Sequence, residues 1–218
     1  MSNEIPDKLV HPSTILVAGP TGSGKTELVV NLIKNNQFTK PIQRIYWLYS
    51  EWQPAYTRVH LFRPEIQFLN SLDEQVYDSL DGNYNNLVIL DDAMNKLGST
   101  GILEKFFTEG SHHRNISIIY IVQNLFDKGK SHRTVSLNSQ YIFLFKNPRD
   151  SGQIASIGRQ MFGTRYKILE KAYELATSKP FSYLLVDLRQ DTHDDYRLRS
   201  NICPITLNSY AEVYIPSK

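Results

Sequence analysis

Short runs of strand-forming residues punctuate the chain at 14–18, 44–49, 66–69, 87–91, 116–122, 141–145 and 181–188. Most are continuously apolar instead of alternating, the pattern of strands buried on both faces. Between them the period lengthens to that of helices. Residues 26–36 place Leu28, Val29, Leu32 and Ile33 on one side, and residues 100–109 do the same with Leu103, Phe106 and Phe107, with Gly110 suited to the helix end. Ser71 with Glu74, and Asp150 with Gln153, have capping-box spacing and predict helices starting at 72 and 151. Residues 166–176 are amphipathic through Ile168, Leu169, Ala172 and Tyr173. Strands alternating with helices predict an α/β fold whose mostly parallel sheet is covered on both faces. Residues 1–13, with Pro6, Pro12 and no periodicity, read as a tail before a single domain over 14–218. No internal repeat is evident.

Composition narrows this picture only slightly. With 41% hydrophobic and 21% charged residues the chain is an ordinary globular mixture, which excludes wholesale disorder. The single cysteine, Cys203, can form no internal disulfide, and the polar N-terminal stretch is no signal region, so an intracellular protein is expected. The longest apolar runs fall well short of the ~20 residues that span a bilayer; a soluble protein with no membrane partner follows. A net charge of +2 conceals an asymmetry. Residues 128–171 hold nine Lys or Arg against Asp150 and Glu170, whereas residues 72–109 hold eight acids against Lys96 and Lys105. Two surfaces of opposite sign are expected.

The run Gly19-Pro20-Thr21-Gly22-Ser23-Gly24-Lys25-Thr26 fits GxxxxGK[ST], after an apolar strand and before an amphipathic helix. Such a loop curls so that successive backbone N–H groups point at phosphate oxygens, aided by the positive end of the helix. Lys25 would bridge the β and γ phosphates, and Thr26 would give a hydroxyl to Mg²⁺, which needs few protein ligands. About 60 residues on, four apolar positions end in Asp91 and Asp92, and acids at the carboxyl end of a buried strand face the ligand crevice. In an enzyme with this loop Asp91 would hold the metal's shell, and Asp92 would orient or deprotonate the attacking water. Asp92 is equally a residue type that caps helices. Gly98, in Asn95-Lys96-Leu97-Gly98, has no carboxylate to read guanine, so ATP is preferred over GTP. The 116–122 run ends in Gln123, whose amide can sense a γ-phosphate or simply start a loop.

Together the loop, the 87–92 strand, and Ser111-His112-His113-Arg114-Asn115-Ile116-Ser117 running into Gln123 resemble the FtsK–HerA superfamily of DNA-translocating ATPases. Within it the chain is most similar to compact genome-packaging ATPases of double-stranded DNA viruses, the poxvirus and Polinton-like group. The likeness covers roughly residues 14–150. It implies a three-layer, RecA/ASCE-like P-loop NTPase in which the Gln123 strand lies between the P-loop strand and the Asp91 strand. It also implies a homo-oligomeric ring, often a hexamer, threading double-stranded DNA. Many relatives carry Glu where this chain has Asp92, a carboxylate one methylene shorter. The chain has no room for a nuclease or winged DNA-reading domain, so a bare motor is expected. Such a motor would dock on a capsid or portal-vertex protein in the host cell or the virion.

Ring ATPases of this kind complete each site with an arginine from the neighbouring subunit; Arg149, in the turn Asn147-Pro148-Arg149-Asp150, and Arg114 are the candidates. Lys128, Lys130 and Arg133 follow Gln123 in a polar stretch and are candidate contacts to the DNA backbone. Two other readings compete. One is a small-molecule kinase whose lid carries Arg159 and Arg165, and the other a nucleotide-gated interaction protein that does not hydrolyse. Several features read as ordinary structure. Tyr46, Trp47, Tyr49, Trp52 and Tyr56 suit strand packing more than base stacking. His112 and His113 are adjacent and diverge on a helix. Asp191, His193, Asp194 and Asp195 read as a hydrophilic loop, and Cys203 as packing.

Overall fold

Ile15 and Val17 leave one face of the first strand and Leu16 and Ala18 the other, and all four are buried. That is possible only where layers of other elements cover both faces. The computed structural model describes residues 7–71, 74–91, 105–107, 114–125, 135–149, 151–203 and 210–215. Its described elements run β1 (Thr14–Ala18), α1 (Lys25–Lys34), β2 (Arg44–Tyr49), α2 (Pro54–Phe62), β3 (Gln67–Leu69), α3 (Glu74–Ser79), β4 (Asn86–Asp91) and β5 (Ile116–Val122). They continue with β6 (Tyr141–Phe145), α4 (Ser151–Phe162), α5 (Lys167–Ala176), β7 (Tyr183–Asp187), β8 (Leu198–Ser200) and β9 (Glu212–Val213).

The nine strands form one sheet in the order β3-β2-β4-β5-β1-β6-β7-β8-β9. β1 to β6 are mutually parallel, and β7, β8 and β9 continue the sheet antiparallel. One face packs on α1 and α2 through Leu28, Val29, Leu32, Tyr56 and Val59. The other packs on α3, α4 and α5 through Tyr77, Ile154, Ile157, Leu169 and Ala172. Each such fully buried aliphatic or aromatic side chain contributes roughly 1.5–3 kcal/mol before entropy is counted. The expected three-layer α/β fold is therefore present, with β5 between β1 and β4 as the resemblance implied.

Local chemistry sets the helix ends. Gly24 caps α1 at φ 102, a left-handed conformation that glycine adopts without steric cost. At the other end Asn36 turns left-handed at φ 48, and the N–H of Gln37 returns to the Leu32 carbonyl at 3.0 Å. Pro54 opens α2 at a position where its missing N–H has no consequence.

Three expectations change. Residues 7–13, expected in a tail, are bound to the body: Leu9 is buried and exchanges backbone hydrogen bonds with Gln37 and Thr39, both at 2.9 Å. A lone apolar residue among polar neighbours carries no periodicity, so its docking left no pattern. The last predicted strand starts at Tyr183 instead of 181, because Phe181 sits at φ +61, outside any extended conformation. The helix α2 and the strands β8 and β9 were not anticipated. α2 buries only Ala55, Tyr56 and Val59, a weak stripe, and β8 and β9 are three and two residues long. The helix expected over 100–109 and the start of the one expected at 72 lie partly outside the described residues.

Candidate functional site

Parallel strands deliver their carboxyl ends to one edge of the sheet, and register shows which residues arrive together. Ala18, the last residue of β1, is level with Val122 on one side and Leu144 on the other. Asp91 is level with Ile121 and with Tyr49. The loop that begins at Gly19, the carboxylate of Asp91 and the amide of Gln123 therefore share one edge.

The loop itself is tightly seated. Gly19 donates its N–H to the Val122 carbonyl at 3.2 Å. A Cβ on Gly19 would lie 2.6 Å from the Cβ of Phe145 and 2.9 Å from Ser23 Oγ, so only glycine fits there. The Lys25 ammonium lies back across the loop and donates to the carbonyls of Gly19 at 2.7 Å and Pro20 at 3.0 Å. Thr26 Oγ1 donates to Asp91 Oδ2 at 3.4 Å, and the Tyr56 hydroxyl donates to the same oxygen at 2.8 Å. Asp91 is almost wholly buried. A carboxylate and a hydroxyl side by side form a hard-oxygen pair suited to Mg²⁺ that keeps water and phosphate for its remaining positions. Glu27 and Arg58 pair at 2.5 Å and tie α1 to α2 beside this pair; both are largely exposed, so the bridge is worth at most about 1 kcal/mol.

Gln123 is exposed beyond the end of β5, in a small cleft with Gly19, Asn147, Gln153 and Tyr173. The Tyr173 hydroxyl accepts from the Asn147 N–H at 2.8 Å and donates to the Phe145 carbonyl at 3.0 Å, which fixes the turn after β6. That turn carries Arg149. Its backbone N–H donates to Asn147 Oδ1 at 3.2 Å, and its exposed side chain stands on the same edge as the loop.

Arg114 is not brought to this edge. It precedes β5, at the opposite end of the strand, donates to the Tyr77 carbonyl at 2.9 Å, pairs with Asp78 at 3.2 Å and lies over the Tyr77 ring. Asp92, Lys128, Lys130 and Arg133 lie outside the described residues, as do His112 and His113. Arg159, considered for a kinase lid, lies over the Tyr166 ring with 4.6 Å to its centre. Of the aromatic residues near β2, Trp47 and Tyr56 are buried in mutual ring contacts, whereas Trp52 is 53% exposed. Asp191 pairs with Arg189 and Asp194 with Arg197, so these acids serve ion pairs of their own loop.

The sequence reading passed over three features of this region. The sequence pattern marks Tyr56 only as packing and gives no sign of its hydroxyl on Asp91, the one signal being Pro54, a helix opener just after the strand 44–49. The segment 177–182, which lines clefts beside the loop with Phe181, overlaps the strand expected over 181–188. On the wall of the larger cleft, burial pushes both the Tyr183 phenol and the Cys203 thiol above their ordinary pKa values. The thiol accepts a hydrogen bond from Asn35 at 3.2 Å.

No family model matches the chain. The uncharacterized protein L666 of Acanthamoeba polyphaga mimivirus is 27% identical over 126 residues, which span 50% of this chain and 49% of that protein. Among solved structures, the genome packaging NTPase B204 from Sulfolobus turreted icosahedral virus 2 in complex with ATP-gammaS has a TM-score of 0.57 at 14% identity, covering 99% of this chain and 100% of that one. Its complex with AMP has a TM-score of 0.54 at 16% identity, covering 83% and 95%. The cytoplasmic domain of the Thermomonospora curvata type VII secretion ATPase EccC has a TM-score of 0.51 at 15% identity, over 81% of this chain and 24% of that one. What these likenesses share with the chain is the fold, the mostly parallel α/β sheet of P-loop ATPases. Among the described residues no helix is long and apolar enough to cross a membrane.

Proposed function

We propose that the chain binds and hydrolyses ATP in the loop of residues 19–26, as a subunit of a viral genome-packaging motor that moves double-stranded DNA. The observation that carries this reading is the contact of Thr26 with Asp91 across β5, with Gln123 leaving the intervening strand at the same edge. A structural neighbour described as a genome packaging NTPase, of nearly the same length, supports the biological setting.

In this mechanism the backbone N–H groups of residues 22–26 receive the phosphates, and the Lys25 ammonium exchanges the Gly19 and Pro20 carbonyls for β and γ oxygens. Thr26 and Asp91 would hold Mg²⁺, which would neutralise charge developing on the phosphoryl oxygens. Asp92 takes the role of orienting the attacking water, and Gln123 senses the γ-phosphate from the strand end. Arg149, exposed on the same edge, is favoured over Arg114 for completing the site of a neighbouring subunit in a ring. Arg114 is held by Tyr77 and Asp78 at the far edge. Lys128, Lys130 and Arg133 grip the DNA backbone without reading sequence, as a translocating motor requires.

The test is ATP hydrolysis with and without linear double-stranded DNA. DNA is expected to stimulate ADP release, and Lys25→Ala to abolish it. Replacing Lys128, Lys130 and Arg133 by Ala together is expected to flatten the salt dependence of DNA binding while basal hydrolysis persists. Full-rate hydrolysis by the Lys25→Ala protein would refute the mechanism. Stimulation by nucleosides instead of DNA would favour a kinase.

A further inference from the structure

The two sides of the phosphate loop differ, and the difference orients a nucleotide. Thr26, Asp91 and Tyr56 stand on the side of β4 and β2. A triphosphate lying in the loop turns its β and γ phosphates toward that hydroxyl and carboxylate, so its nucleoside end leaves the other way, over β6 and β7.

On that side residues 177–182, which join α5 to β7, arch against the loop. With Pro20, Ser23 and Lys146 they line a cavity of about 340 Å³. On the other flank, with Gly24, Leu28 and Asn31 of the loop and α1, residues 178–182 line a second of about 600 Å³, a size typical of small-molecule sites. Phe181 belongs to both. A side chain built on Gly24 would begin 3.5 Å from its Cβ and its ring.

Two properties of Phe181 are unexplained by packing. Its side chain is 72% exposed, so burial contributes little, and its φ of +61 is left-handed. A left-handed backbone is strained for a bulky residue. The segment nevertheless holds it in place: Ser182 donates both its N–H and its hydroxyl to the Lys179 carbonyl, at 3.3 and 2.5 Å, and the Ser178 hydroxyl donates to the Leu175 carbonyl at 2.8 Å. Across the cleft the half-buried Asn31 of α1 forms part of the lining. An aromatic face held ready beside a phosphate loop, opposite an amide, is suited to a flat heterocycle with polar edges.

We propose that this cleft receives the base and ribose of the bound nucleotide, with the Phe181 ring stacked on the base and Asn31 hydrogen-bonding to the nucleoside. The inference rests on the reading of residues 19–26 as the triphosphate site. Its test compares ATP with inorganic tripolyphosphate, which occupies the loop but has no nucleoside, by calorimetric titration of the full chain. Phe181→Ala is expected to weaken ATP binding about tenfold, the scale of one lost base–aromatic stack, and to leave tripolyphosphate within about twofold. Phe181→Trp is expected to keep ATP affinity. The side chain is exposed, so neither variant removes core. If Phe181→Ala leaves ATP affinity within about twofold, or weakens tripolyphosphate equally, the nucleoside assignment is overturned while the loop reading stands. If the unmodified chain binds neither probe, the triphosphate site itself is refuted, and the cleft assignment with it.

Discussion

Tyr56→Phe removes one oxygen and leaves the ring. The hydroxyl it deletes donates to Asp91 Oδ2 at 2.8 Å in a buried setting, while the ring that remains keeps its contacts with Trp47, Tyr49 and Phe68. A hydrogen bond to a charged acceptor is worth about 1.5–3 kcal/mol, and outer-shell partners of ligating carboxylates typically tune metal affinity by about 10–100-fold. On the proposed reading, the Mg²⁺ concentration giving half-maximal ATP hydrolysis should therefore rise at least about tenfold, with the rate at saturating Mg²⁺ falling less. Binding of ATP in the presence of a chelator should be unchanged, because the deleted hydroxyl acts through Asp91 and the metal it would hold. The assay is steady-state ADP release against free Mg²⁺, paired with nucleotide titration in EDTA. A half-saturation shifted by less than about twofold in a folded protein would refute the role given to Asp91. Loss of ATP binding in EDTA would instead show that the variant had disturbed the loop.

His11 is buried at the start of the body, with Nδ1 2.6 Å from the Ser117 hydroxyl. Burial, aided by the Lys40 ammonium, lowers its pKa from 6.5 to about 4. The unfolded chain therefore binds the proton first as pH falls. The stabilising contribution is complete above about 6.5, is lost between 6.5 and 4, and amounts to roughly 3 kcal/mol. Denaturant titrations at pH 7 and 4.5 should show that loss, and His11→Gln should remove most of the difference; an unchanged slope would contradict the assignment. The pair Asp187–Arg199, joined at 2.6 Å and buried at both ends, predicts a different signature. Asp187→Asn alone should cost about 3–5 kcal/mol, and Asp187→Leu with Arg199→Met should recover much of it. A single-variant loss under about 1 kcal/mol would show that the pair does not behave as a desolvated one.

What could be read in advance divides along the sheet. The parallel strands β1, β2, β5 and β6 begin and end where the apolar runs do, because a strand buried on both faces must be apolar throughout and its polar flanks mark its ends. The phosphate loop was legible for a different reason: glycine is required at positions such as 19 and 24 by contacts and dihedrals that no other residue tolerates. At the antiparallel end only β7 was, within the run 181–188, and β8 and β9 were not. Asp187, Arg199 and Ser200 put charge and hydroxyls into buried strand positions, which only long-range partners make possible, and a local pattern cannot show a partner twelve residues away. Tyr56 fell between these cases. Its ring reads as packing, correctly, and only the fold brings its hydroxyl to Asp91 from 35 residues away.

Across β1, β5 and β4 the phosphate loop, the amide and the carboxylate sit at nearly one level, Ala18 beside Val122 and Asp91 beside Ile121, on strands with no room to slide because every side chain of β5 is buried. On the proposed reading, a change at the γ-phosphate felt by Gln123 would meet a fixed strand behind it and would pass forward along the chain. Lys128 comes five residues after Gln123. On the proposed reading this is the short path by which hydrolysis alters the grip on DNA. The antiparallel strands β7 and β8, which bring Tyr183 and Ser200 to the proposed nucleoside cleft, are joined by the buried Asp187–Arg199 pair. Force generation and base recognition would then use opposite sides of one loop, and a substitution on either side should change one without the other.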